Sequence, residues 1–251
     1  RKYANVCDET LLRLCEEEAR KQRSDRDAVK AVKTELHAIT GAFIGQRELC
    51  EAGRLLSEWE AASDDLGERD EILRKILSLH KSSAERLRFL REMYADISRV
   101  AGEGPVFDIA CGFGPFAAPF LEGASNYFAT DIDTGAVSLA NRFLKLSGIP
   151  GGAFAGDVLY KIPGTPANNV LLLKLLPLLE RRRQGYAARL VSNLPSRFFT
   201  ISFPTRSLSG RNVGMYGFYG GFMRASFPEG EYEYMFEREY ANELLFIIRR
   251  R

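Results

Sequence analysis

Three acids, Asp108, Asp131 and Asp157, stand where the chain could do chemistry. Asp108 lies within the apolar run Val106 to Cys111, which stops at Gly112 and Gly114. Such a run reads as a buried parallel strand ending in a glycine turn, where backbone passes close to a ligand. About twenty residues on, Tyr127-Phe-Ala-Thr ends in Asp131, the position from which an acid hydrogen-bonds a ribose diol in doubly wound sheets. A full dinucleotide fingerprint would need a third glycine, and Phe116 and Ala117 stand there instead. A nucleoside cofactor without a pyrophosphate fits this pattern, and S-adenosylmethionine (SAM) is the leading candidate.

The elements that must position these acids begin at Gly102-Glu-Gly-Pro105, where the pattern changes from helical to alternating. Strands are expected at 105–111, 126–131, 152–156, 168–175, 197–203, 231–239 and 242–249, with helices near 115–122, 134–147 and 178–192. The alternation predicts a mostly parallel sheet with helices on both faces. About two residues separate the last two strands, so they should form an antiparallel hairpin. Five parallel strands closed by a hairpin make a Rossmann-like α/β fold of the class I SAM-dependent methyltransferases, here with an N-terminal helical domain.

The first hundred residues read as helices. Asp8 is expected to cap the first, with Leu11, Leu12, Cys15 and Ala19 inward; Ser24 and Asp27 cap a second, carrying Val29, Val32, Leu36 and Ile39 and stopping at Gly41. A third presents Leu49, Leu56 and Trp59, and a fourth Ile72, Leu73, Ile76 and Leu77. The capping box Ser82-x-x-Glu85 should open a fifth, through Leu87, Leu90, Ile97 and Val100. The division expected is a helical unit at 1–103 and a catalytic unit at 104–251.

At 251 residues with 45% hydrophobic and 27% charged residues, the composition is that of a globular protein, neither disordered nor membrane-spanning. The longest apolar stretch, Val170 to Leu179, is interrupted by Lys174 and Pro177. No signal-peptide pattern opens the chain, although it starts at Arg1 and not at Met. Cys7, Cys15, Cys50 and Cys111 form no CxxC pair, and His37 and His80 are the only histidines, so no metal site is expected. The cysteines read as buried thiols of a reducing compartment, which points to the cytoplasm. A net charge of +2 is too small to require a nucleic-acid partner, so an RNA surface would rest on local clusters.

Several stretches combine into a more specific pattern: Leu79-His-Lys-Ser-Ser-Ala-Glu-Arg-Leu87, Asp108-Ile-Ala-Cys-Gly112, Asp131-Ile-Asp133, Asp157-Val-Leu159, Lys174-Leu-Leu-Pro-Leu-Leu-Glu180 and Ser202-Phe-Pro-Thr-Arg-Ser-Leu208. With Leu36-His-Ala-Ile-Thr-Gly-Ala-Phe43, the chain resembles the aminoglycoside-resistance 16S rRNA (guanine-N7) methyltransferases (Arm/Rmt type) along nearly its whole length. That resemblance implies methyl transfer from SAM to N7 of guanine-1405 (ribosomal RNA numbering) in the decoding A site of the 30S subunit, by a monomer. It implies that Asp131 takes the ribose hydroxyls and that Asp157 accepts from the adenine amino group, with the Val158 amide nearby and Leu173 on the ring. Ala110 and Gly112 backbone would approach the methionine part, and Arg86 would pair with its carboxylate, helped by His80, Lys81 and Ser82. Phe43 would close over the cofactor. The plainer readings are a surface ion pair of Arg86 with Glu85 or Glu92 and a helix-junction role for His80.

Guanine N7 carries an in-plane lone pair and no proton, so no general base is required and catalysis is mainly positioning. Lys174 and Arg206 are the candidates beside the target base. Because N7 faces the narrow major groove of A-form RNA, the base must be extruded or the helix distorted. Arg1, Lys2, Arg20, Lys21 and Arg23 are expected to form a basic patch, and Arg206 and Arg211 to flank a loop where the base enters. The following Gly214-Met-Tyr-Gly-Phe-Tyr-Gly-Gly-Phe222 reads as a loop richer in glycine and aromatics than the resemblance leads one to expect. Rival readings are a methyltransferase acting on another RNA position and a SAM-binding RNA-binding protein without catalysis.

Overall fold

The computed structural model describes residues 3–40, 44–62, 66–205 and 215–251. Arg1, Lys2, Gly41, Phe43, Arg206, Arg211 and Gly214 lie outside the described residues. Helices α1 (Asp8–Lys21), α2 (Asp25–Thr40), α3 (Gln46–Ala61), α4 (Leu66–Ser78), α5 (Lys81–Arg86) and α6 (Leu90–Ala101) precede the sheet. Strands β1 (Gly104–Ile109), β2 (Ala124–Asp131), β3 (Gly151–Ala155), β4 (Ala167–Leu173), β5 (Ser196–Pro204), β6 (Tyr232–Tyr240) and β7 (Glu243–Arg250) follow. Between them lie a short 3-10 helix at Gly114–Phe120 and helices α7 (Thr134–Ser147), α8 (Leu176–Arg182), α9 (Tyr186–Asn193) and α10 (Met215–Ser226).

The strand order is β3-β2-β1-β4-β5-β7-β6. The first five strands pair in parallel, and β7 pairs antiparallel with both β5 and β6. This is the class I methyltransferase sheet expected from the alternation. The order reverses at β1, so the crevice lies outside the carboxyl ends of β1, β2 and β4. Only Ala241 and Asn242 separate β6 from β7, and that tight return brings the start of β7 back to the same edge. Pro204, the end of β5, pairs with Glu243.

Side chains alternate across the sheet as the period of two requires. Val106, Leu171, Leu245 and Ile247 join one core with α3, α4, α6 and α7, where Trp59 meets Phe143 edge-on at 5.4 Å. Phe107, Val170, Leu172 and Phe246 join the other core, under α8, α9 and α10. The first core runs continuously across position 103/104, because helices α3 and α4 supply buried leucines to it. Helices α1 and α2 instead share a small core of Val6, Leu14, Val32 and Leu36.

Several local expectations change. Asp8 does not cap α1; Cys7 holds the N-cap position without a side-chain bond. The buried face of α1 is Thr10, Arg13, Leu14 and Glu18, while Leu12, Cys15 and Ala19 are exposed. The inward face is rotated away from the apolar stripe, because the polar residues Thr10, Arg13 and Glu18 are buried on it. Val29 is exposed as well. Cys7 and Cys111 are buried, but Cys15 and Cys50 are exposed, so they are not all interior thiols. Ser24 does cap α2, accepting the Asp27 N–H at 3.2 Å. Ser82 caps nothing: His80 is the N-cap residue, and the expected fifth helix is two helices, α5 and α6, parted by a turn. The helix expected at 178–192 is also two, broken at Gly185 in a left-handed conformation. The glycine-aromatic stretch after Gly214 is helical, within α10; Tyr219 and Met223 bury one face, and that tertiary gain offsets the low helix propensity of Gly217, Gly220 and Gly221.

Candidate active site

The turn after β1 is built by close packing within the protein. Gly112 has φ +48°, and a Cβ there would lie 2.6 Å from His80 Cε1. At Gly114 a Cβ would lie 2.2 Å from Asp108 Oδ2. Both glycines are thus required by neighbouring side chains, a reason different from the ligand approach expected of the sequence. Ala110, between strand and turn, also has a positive φ of 56°. A non-glycine residue there costs about 1–2 kcal/mol of strain, of the kind that clusters at binding sites.

Asp131 closes β2. Its Oδ2 accepts the Gly112 N–H at 2.8 Å and its Oδ1 accepts the Asp133 N–H at 2.9 Å. The carboxylate therefore ties the β1 turn to the β2 turn, and its two oxygens still have acceptor capacity to spare. Burial pushes its pKa up to about 6, against the downward pull of those N–H donors. Asp133 caps α7, accepting from Gly135 and Ala136 at 2.8 and 3.0 Å. Asp108 is buried within the strand; the Tyr127 hydroxyl donates to it at 2.8 Å, yet burial still raises its pKa to about 7.

Asp157 sits two residues beyond β3 with its side chain 5% exposed. Its Oδ2 accepts from the Thr10 hydroxyl at 2.9 Å and from Arg13 Nε at 3.0 Å, and its Oδ1 accepts the Leu159 N–H at 2.9 Å. The backbone N–H of Asp157 donates to Glu9 at 2.9 Å. Cys7 N–H donates to the Ile132 carbonyl at 2.8 Å, and Thr134 N–H to the Asn5 carbonyl at 2.7 Å. The N-terminal segment and α1 are thereby fastened to both acid-bearing turns. Val158 is buried and its carbonyl accepts from the Tyr186 hydroxyl; Leu173 is half-buried at the end of β4.

Arg86 ends α5 and is 5% exposed. It makes no surface pair with Glu85 or Glu92. Its Nε donates to both oxygens of Glu243, at 2.8 and 2.9 Å. Burial alone would lower its pKa, but the Glu243 carboxylate overrides this and the pKa is raised. Its Nη2 is buried with no hydrogen-bond partner among the described residues. His80 is buried, with Nδ1 3.0 Å from the Ser83 hydroxyl and its ring edge-on to Phe113 at 5.9 Å. Burial, then the charges of Arg86 and Lys174, lower its pKa to about 4, so the ring is neutral at pH 7. Lys81 is exposed and Ser82 half-exposed at the start of α5.

Lys174 follows β4 with φ +59°. Its N–H is 3.0 Å from both the carbonyl and the hydroxyl oxygen of Ser202, and its Nζ pairs with Glu85 at 2.6 Å and Glu243 at 3.1 Å. Glu243, 0% exposed, was not among the residues expected from sequence. A lone acid opening the apolar run Leu244 to Ile248 reads locally as a strand terminus; only its antiparallel partnership with β5 places it here. On α1, Arg20 is exposed with Glu16 at 3.8 Å, Lys21 pairs with Glu18 at 2.7 Å, and Arg23 is exposed.

The site thus joins, outside the carboxyl ends of the parallel strands, a half-buried acid with spare acceptor capacity and a buried guanidinium with a donor unused among the described residues. Comparison with known proteins agrees in length and fold. The 16S rRNA (guanine(1405)-N(7))-methyltransferase of Frankia casuarinae is 36% identical over 258 residues, covering 100% of this chain and 90% of that protein. The protein of the same name from Serratia marcescens is 33% identical over 250 residues, covering 100% and 94%. Among solved structures, the 16S rRNA methyltransferase RmtF in complex with S-adenosyl-L-homocysteine superposes with a TM-score of 0.88 at 34% identity, covering 100% of this chain and 94% of that one. The 16S rRNA methylase RmtB gives 0.85 at 30% identity, covering 100% and 94%. Residues 1–247 match the ribosomal RNA methyltransferase (FmrO) family, and the chain belongs to it.

Proposed function

We propose that this protein transfers a methyl group from SAM to N7 of guanine-1405 in the 16S rRNA of the 30S subunit, protecting the decoding site against aminoglycosides. The observation that carries the cofactor end is the unpartnered Nη2 of Arg86, a buried donor suited to a carboxylate. A buried donor left unmade costs about 1–3 kcal/mol, which an incoming carboxylate would recover. Asp131 supplies free lone pairs for vicinal hydroxyls. These residues fit a ligand with a carboxylate at one end and a ribose at the other. Asp157 fits through the remaining lone pair of Oδ1, its other oxygen being engaged by α1. Val158 and Leu173 would border the adenine, Ala110 and Gly112 backbone the methionine part, and His80, Lys81 and Ser82 the carboxylate side; Phe43 would be the lid.

SAM supplies an electrophilic methyl on a sulfonium. The chain's own residues bind, orient and exclude water; no side chain needs to take a proton, because N7 has none. Guanine gains positive charge as it is methylated, which an unshielded cation would oppose. Lys174 is shielded by Glu85 and Glu243, which suits a residue near the target base; Arg206, outside the described residues, is the other candidate for that role. Residues 1–103 would dock the RNA and 104–251 carry the chemistry. Arg20, Lys21 and Arg23, with Arg1 and Lys2, would meet phosphate, and Arg211 the entering strand. Pairs of Arg182, at the end of α8, with Glu35 of α2 and of Arg183 just beyond it with Glu17 of α1 hold this segment to the first two helices. Among the described residues no helix is long and apolar enough to cross a membrane, and a cytoplasmic monomer is the form we assign.

The test is labelled methyl transfer to purified 30S subunits with mapping of the product. N7-methylguanine breaks the strand after reduction and aniline treatment. Expression in a sensitive bacterium should raise resistance to gentamicin and kanamycin and leave apramycin effective. Methylation of an adenine N1, with apramycin resistance, would overturn the assignment. Binding of SAM without any transfer would favour a non-catalytic RNA-binding protein.

A further inference from the structure

We propose that Glu243 is a positioning residue that sets both ends of the reaction, fixing Arg86 at the cofactor side and Lys174 at the base side with one carboxylate. This rests on the reading of Arg86 and Lys174 given above. Glu243 is fully buried and accepts from Arg86 Nε with both oxygens, from the Ser202 hydroxyl with Oε1, and from Lys174 Nζ with Oε2 at 3.1 Å. Ser202 in turn receives the Lys174 N–H, which pins the left-handed backbone at that residue. One acid at the start of β7 therefore links α5, the end of β4 and the end of β5.

Two physical arguments separate this from ordinary structural pairing. Buried ion pairs are a weak source of stability, since well-packed apolar replacements are often as good or better. A network kept for stability alone would also not leave one guanidinium nitrogen buried and unpartnered among the described residues, as Arg86 Nη2 is. Holding Nε while leaving Nη2 for an anion is how a carboxylate orients an arginine toward a ligand. The same carboxylate, with Glu85, also lowers the net charge that Lys174 presents to a base becoming cationic.

The experiment uses the full chain with SAM and 30S subunits. Glu243→Gln should weaken SAM binding and lower kcat at saturating SAM, each by about tenfold or more, the scale of one charge-assisted hydrogen bond. Lys174→Met should lower kcat, because it removes a side chain that positions the target base, and leave SAM affinity within about twofold, because Arg86 and Glu243 stay paired. Glu243→Asp, which keeps the charge, should recover part of both losses. If Glu243→Gln fails to fold, Ser202→Ala decides by the same two readouts, each moving by a few-fold without loss of stability. A folded Glu243→Gln (or, in its place, Ser202→Ala) with unchanged SAM affinity and kcat overturns the proposal. So does a Lys174→Met that weakens SAM as strongly as Glu243→Gln. Arg86→Ala distinguishes the two levels: undiminished SAM affinity there would remove the cofactor-end reading itself, whatever Glu243 does.

Discussion

Replacing Asp131 isolates the ribose contact and gives it a size. The carboxylate accepts two backbone N–H groups, at 2.8 and 2.9 Å, and has acceptor capacity left for a diol. Removing a charged acceptor from a hydrogen bond costs roughly 1.5–3 kcal/mol, or about ten- to hundredfold in affinity. Asp131→Ala also strands the N–H groups of Gly112 and Asp133, so Asp131→Asn is the cleaner variant, keeping an oxygen for one of them. Calorimetric titration with SAM measures the affinity, and thermal unfolding checks the fold. A pH series adds an internal control. Hydroxyl donors favour the ionised carboxylate, whose pKa is about 6 in the unliganded protein. Affinity should be flat above pH 7 and fall about tenfold by pH 5 in the parent, with this dependence lost in Asp131→Asn. Acid unfolding at this residue would have the wrong sign. A carboxyl whose folded pKa is raised contributes stability that is present below its unfolded pKa, near 4, and lost as pH rises through about 6. Unchanged SAM affinity in a folded Asp131→Asn, or the same pH dependence in both proteins, would refute the reasoning.

Reversing Arg20, Lys21 and Arg23 to Glu should weaken 30S binding and flatten its salt dependence while SAM affinity stays constant; if the salt slope survives, this face is merely solvated. The methyl-transfer step at saturating SAM should be nearly flat from pH 7 to 9, read by rapid-quench kinetics, and a rate following a single pKa in that window would indicate a general base. Gly112→Ala should lower stability in urea by at least about 1–2 kcal/mol, because it adds left-handed strain to the contact with His80. Phe143→Ala, at a fully buried ring against Trp59 and Phe116, should cost about 3–5 kcal/mol and unfold α3–α6 together with the sheet in one transition; two separate transitions would mean independent cores.

Alternating apolar runs with turn residues between them placed all seven strands to within about two residues, and the end of an apolar run located Asp131, because strand termini are local properties of the chain. Local pattern also found the capping of α2 by Ser24. It failed where a distant partner decides. The inward face of α1 is set by Asp157, which draws Thr10 and Arg13 inside, and a hydrophobic count cannot anticipate buried polar residues. The glycines of the β1 turn were visible, but the atoms that require them belong to His80 and Asp108. The helix of residues 215–226 forms against composition because Tyr219 and Met223 are buried beneath it. Glu243 carried no local signal at all. Its 157-residue separation from Arg86 is closed only when β7 pairs antiparallel with β5 and returns the chain to the crevice. Burial then turns an acid at a strand terminus into the counter-ion of two cations, because charge removed from water must find charge.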